Sequence, residues 1–265
     1  MTPIQRNFLA GLAIAAVLLG LGIYIEKRNT SDSAPTPASS AATSTADGSG
    51  VSIDATGDYT IREVSDVTPP NYNKPVNFSA SVSAETRAAI NASAAQKRAL
   101  IQSNPADFNA WVSLGALYHA GGDERMAEKI WLYTAALAPQ SPLSYDNLGD
   151  LYLSYLKDYV KAESAFKKAI AADAQDVGAY QNLFSLYTEY GYQKGTTAAE
   201  DILKKGIAAN PGAYDLNVLL ARYYAGLGRT AEARVQYDAA ITGAQAAGQG
   251  AIAEQLKAEE EGLAQ

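Results

Sequence analysis

From about residue 108 to residue 242, one arrangement of apolar and small residues returns every 34 or 35 positions. Trp111 and Tyr145 are 34 apart, as are Leu114 and Leu148 and also Leu203 and Tyr237. Leu148 to Leu183, Ala127 to Ala162 and Trp131 to Phe166 each span 35. A segment of that length cannot bury its apolar face alone, so successive copies must stack and share a core. Within a copy the spacing is helical. Trp111, Leu114, Gly115 and Tyr118 stand at i, i+3, i+4 and i+7, one face of a first helix, and Ala127 and Trp131 stand at i and i+4 on a second. Gly115 and Ala127 are small where the two helices come closest, and the large aromatics are expected to fill the gap to the next copy. Gly121-Gly122 and Gly228 supply turns between paired helices.

The order of these residues resembles the tetratricopeptide repeat (TPR). That motif has an aromatic, Leu-Gly and Tyr on a first helix, Ala-aromatic-Ala on a second, and a closing Pro. The first unit reads Trp111, Leu114, Gly115, Tyr118, Ala127, Trp131, Pro139; the second Tyr145, Leu148, Gly149, Tyr152, Ala162, Phe166, Ala169. The third reads Tyr180, Leu183, Phe184, Tyr187, Ala199, Leu203, Pro211, and the fourth Leu220, Ala221, Tyr224, Gly228, Ala233, Tyr237, Ala240. Together they cover about half of the chain. Phe184 stands where Gly is usual. Extra residues at 190–197 and near 156–159 read as lengthened turns, which loops tolerate at small entropic cost.

The resemblance implies an all-α, right-handed superhelical solenoid of antiparallel helix pairs. Its four units span about 108–141, 142–176, 177–213 and 214–242. Residues 83–105 read as an N-terminal capping helix, a second helix without its first partner. Residues 243–265 read as a C-terminal cap whose Glu254, Lys257, Glu259, Glu260 and Glu261 give a wet outer face. In this family the first helices line a concave face that holds partner peptides. Carried over, the lining is Asn109, Val112, His119, Asp146, Asp150, Leu153, Gln181, Ser185, Glu189 and Arg222. One subclass clamps a C-terminal carboxylate with Lys and Asn; Asp146 and Asp150 stand against that ligand here. They favour a basic or amphipathic partner segment bound in a salt-sensitive way. The alternatives are a groove filled by the chain's own Pro-rich segment, or binding on the convex face.

The first 82 residues are of another kind. Residues 8–25, among them Phe8, Leu9, Leu18, Leu19, Leu21, Ile23, Tyr24 and Ile25, carry no charge. As a helix they would span ~27 Å, close to the ~30 Å of a bilayer's hydrocarbon core. Ile23-Tyr24-Ile25-Glu26-Lys27-Arg28 offers no small-x-small cleavage site, which favours a retained anchor (1–28) over a cleaved signal. The flanking charges barely decide orientation. The short N-tail and the spacer favour a single-pass protein with its repeats outside the cytoplasm, the cytoplasmic face being the alternative. Residues 29–82 form the linker. Its part from 31 to 50 has no aromatic and no Lys or Arg, too little apolar area to offset ordering. Around 59–80, alternating apolar residues and Pro69, Pro70 and Pro75 suggest an extended piece lying along the folded domain.

The formal charge is −7, which speaks against nucleic acid, a polyanion held by Lys and Arg. With no Cys and a single His, His119, neither a usual zinc site nor thiol catalysis can be assembled. Asp146 and Asp150 at i and i+4 read as a polar helix face, and no glycine-rich phosphate loop is present. The sequence therefore predicts no enzyme and no cofactor, but a membrane-held scaffold for protein partners at a cell envelope. Two alternatives are an accessory subunit of an envelope-modifying or secretion/pilus-type assembly, and a repeat protein that self-associates through Ala-rich surfaces and its C-terminal helix.

Overall fold

Asp, Ser and Pro set where the helices begin. Ala110 N donates to Asp107 Oδ1 at 2.8 Å, Lys161 N to Asp158 Oδ1 at 3.1 Å and Ala179 N to Asp176 Oδ1 at 3.2 Å, each satisfying a first-turn amide. Ser83 does the same for Thr86 N. Asn104, extended before Pro105, ends the first helix, and Pro142 opens the fourth at its N-terminal turn. In this computed structural model, which describes residues 68–263, the result is ten α-helices and no strand among the described residues. They are α1 (Ala84–Ser103), α2 (Phe108–Ala120), α3 (Glu124–Leu137), α4 (Pro142–Asp150), α5 (Tyr159–Ala172), α6 (Val177–Thr188), α7 (Ala198–Ala209), α8 (Tyr214–Gly226), α9 (Thr230–Ala246) and α10 (Gly250–Gly262). Each packs on its neighbours in sequence, the contact pattern of a solenoid. The uncharged segment 8–25 lies outside the described residues, and no helix among those described is long and apolar enough to cross a membrane.

Pairs close through glycine slots. A Cβ on Gly115 would overlap the Trp131 indole, and one on Gly149 would overlap the Phe166 ring. These two aromatics thus fill space inside their own units, not the gap to the next unit. The indole of Trp131 also donates to Val112 O at 3.2 Å. The third unit lacks the glycine on its first helix; its close approach is made from the second helix, where Gly206 faces Tyr180 and Leu216. Phe184 instead turns outward and meets Tyr223 edge-on at 5.6 Å.

A second periodic device ties unit to unit. Tyr152 donates to Glu128 Oε1 (2.9 Å), Tyr187 to Glu163 Oε1 (2.6 Å) and Tyr224 to Glu200 Oε1 (3.0 Å), each pair 24 residues apart. Every one joins the first helix of a unit to the second helix of the unit before it. Burial raises the Glu128 and Glu163 carboxyls, but their phenol and cation partners outweigh it and hold both below the ordinary range. Burial followed by the bonded carboxylates pushes the Tyr152 and Tyr187 phenols up.

At the N-terminal end no preceding unit lies among the described residues, and residues 72–82, with a turn at each end, pack there as a strap. Tyr118, the ladder tyrosine of the first unit, bonds the carbonyl of Lys74. Arg98 donates to Tyr72 O (2.7 Å) and Lys74 O (2.8 Å), and Arg87 to Val82 O (2.9 Å) and Ser79 O (3.1 Å). Val76 fills the slot over Gly121, where a Cβ would come to 2.5 Å of it, and Tyr72 meets Trp111 edge-on at 5.2 Å. Asp123, placed to cap α3, instead accepts Asn77 N at 3.1 Å. Of the piece at 59–80 expected to be extended, residues 75–79 run between two turns and lie against the end of the helix stack.

Two expectations change. The extra residue near 156–159 does not lengthen a loop: α4 runs on as a π-helical turn, Leu151–Leu156, ended by Lys157 in the left-handed region at φ 55. One added residue inside a helix is absorbed by widening its hydrogen-bonded ring. Glu259 of the C-terminal cap is not on a wet outer face. It takes a bidentate pair from Arg222 (2.9 and 2.8 Å) and the Tyr237 hydroxyl (3.2 Å), while Ala253 and Leu256 of α10 close the last core against Val218, Ala221, Tyr237 and Ile241.

Candidate functional site

The first helices of the four pairs are α2, α4, α6 and α8, and the residues expected to line a groove sit on them or at their ends. Asn109 and Asp150 are exposed, and Asp146, Gln181 and Ser185 are half-buried. Val112 and Leu153 are 4% exposed each, so they form the floor beneath such a face and not its contact surface. Glu189 follows α6, is exposed, and accepts the Ser185 hydroxyl at 3.4 Å.

Two of the expected residues, His119 and Asp150, come together with Glu124 and Tyr155 between the first and second units. His119 ends α2, and its Nδ1 lies 2.5 Å from Glu124 Oε2. An ionised carboxylate only accepts, so the imidazole nitrogen is the donor. The His119 ring packs edge-on against Tyr155 with centroids 4.4 Å apart, and lies 5.8 Å from Trp131. The π turn is what brings Tyr155 out of the helix register to this place, where it remains 53% exposed. Its inner edge is covered, which pushes the phenol up, and the Asp150 and Glu124 carboxylates act in the same direction. Asp150 also accepts Ser154 Oγ at 3.2 Å. Sequence reasoning placed His119 and Asp150 but missed Tyr155 and Glu124; the spacing of 35 in this unit was the signal for the first.

The electrostatics of the four first helices are one-sided. Among them only Arg222 is a Lys or Arg, and it is engaged by Glu259 through a bidentate pair from Nε and Nη2. Glu259 and Arg222 hold each other charged: the guanidinium lowers the carboxyl against the effect of burial, and the carboxylate raises the guanidinium. The acidic groups expected along this face are Asp146, Asp150 and Glu189, and these four helices bring no other Lys or Arg to it. Among the described residues no group of three or more His, Asp or Glu is placed to hold a metal ion.

A family profile, a curated relative and solved structures are similar to parts of this chain. The profile of the tetratricopeptide repeat matches residues 143–176, the second unit. Cellulose synthase operon protein C of Xanthomonas axonopodis pv. citri (strain 306) is 32% identical over 127 residues, 46% of this chain; the chain spans only 8% of that protein's length. Among solved structures, MamA is similar at 21% identity and a TM-score of 0.49, covering 62% of this chain and 92% of that one. YrrB, described as a TPR protein with an unusual peptide-binding site, is similar at 18% identity and a TM-score of 0.44, covering 63% of this chain and 86% of that one.

Proposed function

Starting from a chain that belongs to the tetratricopeptide-repeat family, we propose that it is a membrane-held scaffold whose first-helix face binds a basic or amphipathic segment of a protein partner. The observation that carries this reading is the charge composition of α2, α4, α6 and α8, which bring Asp146 and the exposed Asp150 to this face and only one Lys or Arg, Arg222, which is paired with Glu259. A basic segment laid along this face gains charge-assisted contacts and is steered to it at low ionic strength. Asn109, Gln181, Ser185 and Glu189 supply polar partners on either side, and His119 with Tyr155 an aromatic wall. The test is affinity capture from solubilised membranes with the native chain and with an Asp146→Lys, Asp150→Lys double variant. Loss of the captured partners in the variant supports the reading; the same partners captured equally by both would sink it.

The uncharged segment 8–25 is the basis for the membrane attachment, and the spacer for placing the repeats outside the cytoplasm. A C-terminal tag digested by protease in intact spheroplasts, while remaining in the membrane fraction, is the expected outcome. A protected tag puts the scaffold on the cytoplasmic face, and a shortened soluble product refutes the anchor. The likeness to a protein named for a cellulose synthase operon favours a second reading, an accessory subunit of an envelope-modifying assembly. Its partners would then be the other components of such an assembly.

A further inference from the structure

The π turn after α4 sets one aromatic ring apart from all the others. Of the Phe, Tyr and Trp side chains among the described residues, Tyr155 alone is exposed. The charged groups that act on its hydroxyl are Glu124 and Asp150, both carboxylates. Glu124 engages His119 through Oε2, and Asp150 engages Ser154 through Oδ1. Glu124 Oε1 and Asp150 Oδ2 carry no bond among the described residues, and no Lys or Arg there pairs with either side chain. Elsewhere the chain covers its rings with its own cations. Arg229 Cζ lies 4.2 Å from the Tyr224 ring centre, Lys161 Nζ 5.0 Å from that of Tyr152 and Lys157 Nζ 5.3 Å from that of Tyr190. Tyr190 stands 35 residues after Tyr155, at the corresponding place of the next unit. Tyr155 has carboxylates beside it, yet no Lys or Arg among the described residues lies over its ring.

We propose that Tyr155, Glu124 and Asp150 form an anchor for one arginine of the partner's basic segment. The anchor rests on the reading of the first-helix face given above and narrows it to a single partner side chain. The guanidinium lies against the Tyr155 ring, with its N–H groups turned to the Glu124 and Asp150 carboxylates. A guanidinium suits this place better than an ammonium. It is planar, weakly hydrated and able to stack on an aromatic ring while its edge still donates to carboxylates. A lysine ammonium is a compact, strongly hydrated point charge, and it must shed more water to approach the ring. His119 is a positioning residue. Its imidazole packs edge-on against Tyr155 at 4.4 Å and its Nδ1 holds Glu124 at 2.5 Å, so one side chain fixes both the ring and a carboxylate. Tyrosine against arginine is also the pairing in which binding energy tends to concentrate at protein interfaces.

The experiment titrates the full chain in mild detergent with two short fluorescent peptides, read by anisotropy. One alternates Lys and Ser; the other is the same peptide with its central Lys replaced by Arg. The arginine peptide is expected to bind the native chain about tenfold more tightly, the gain of a guanidinium seated on a ring between carboxylates. Tyr155→Phe keeps that ratio of affinities, because the ring remains. Tyr155→Ala and Glu124→Gln each bring the ratio towards one. Should Glu124→Gln disturb folding through His119, Asp150→Asn carries the same test from an exposed position. Equal binding of the two peptides by the native chain, or a preference that Tyr155→Ala leaves in place, overturns the anchor while the reading of the face stands. Binding of neither peptide overturns both.

Discussion

Replacing Glu200 by Gln tests whether the inter-unit ladder holds the solenoid together. Glu200 sits on α7 with its side chain 15% exposed; it accepts Tyr224 at 3.0 Å, Lys204 at 2.5 Å and Arg229 at 2.6 Å. Tyr224 and Arg229 belong to the following unit, so the carboxylate is the polar tie between units three and four. Arg229 and Lys204 hold the carboxyl at about 2, against an ordinary 4.5, with the Tyr224 bond adding to them over the opposing effect of burial. A depression of that size corresponds to roughly 3 kcal/mol of folding free energy at neutral pH. Because Lys204 and Arg229 are both more than a third exposed or close to it, solvent screening reduces this, and a loss of about 2 kcal/mol is expected for Glu200→Gln. The sign follows from the lowered folded-state pKa. The stabilisation is complete above pH 4.5 and disappears as the pH falls towards 2, so the native chain loses stability across that window and the variant loses less. The assay is urea unfolding of the full chain in detergent between pH 2 and 7, paired with amide exchange. In a solenoid the damage stays local, so exchange should rise in α8, α9 and α10 while α2 to α5 keep their protection. A variant as stable as the native chain at pH 7, or equally acid-sensitive, refutes the role given to this carboxylate.

Three other predictions concern packing and the strap. Gly149→Ala gains about 1 kcal/mol of helix propensity but drives a methyl into the Phe166 ring, so a net loss of about 1 kcal/mol is expected by thermal melt. Arg98→Ala removes the guanidinium bonds to the carbonyls of Tyr72 and Lys74 and to the Tyr118 hydroxyl, leaving Tyr118 on Lys74 O, and limited proteolysis should then cut within residues 71–82 much faster than in the native chain. Gly121→Val overlaps Val76 and should release the strap in the same assay, with α5 to α10 unchanged by amide exchange.

The helix pairs were legible because their spacing is enforced by close packing: Gly115 under Trp131 and Gly149 under Phe166 leave no freedom in residue type. The ladder was equally present in the sequence, since Glu128, Glu163 and Glu200 each precede their tyrosine by 24 positions next to Ala127, Ala162 and Ala199. A search built on apolar periodicity passes over it, because the ladder is a polar signal between units. The π turn was half legible. The length anomaly shows that one residue is added, but whether a loop or a helix absorbs it depends on how Leu151, Tyr152 and Leu153 pack. The groove list mixed floor with surface for the same reason: Val112 and Leu153 occupy helical positions that local packing buries, and Arg222 is claimed by Glu259 of a cap too weakly patterned to position by sequence. The strap left only prolines and alternation as its trace, with its anchors Arg87 and Arg98 read as ordinary helix charges.

The central claim is that partners are taken on the first-helix face. A photo-crosslinking amino acid at Asn109 or Gln181, compared with the same group at Leu132 or Val160 on second helices, tests it directly in living cells. Crosslinks from Asn109 and Gln181 to one protein, through a segment rich in Lys or Arg, are the predicted result. Crosslinks to that protein from Leu132 or Val160 alone would place the interaction on the other side of the solenoid and contradict the account.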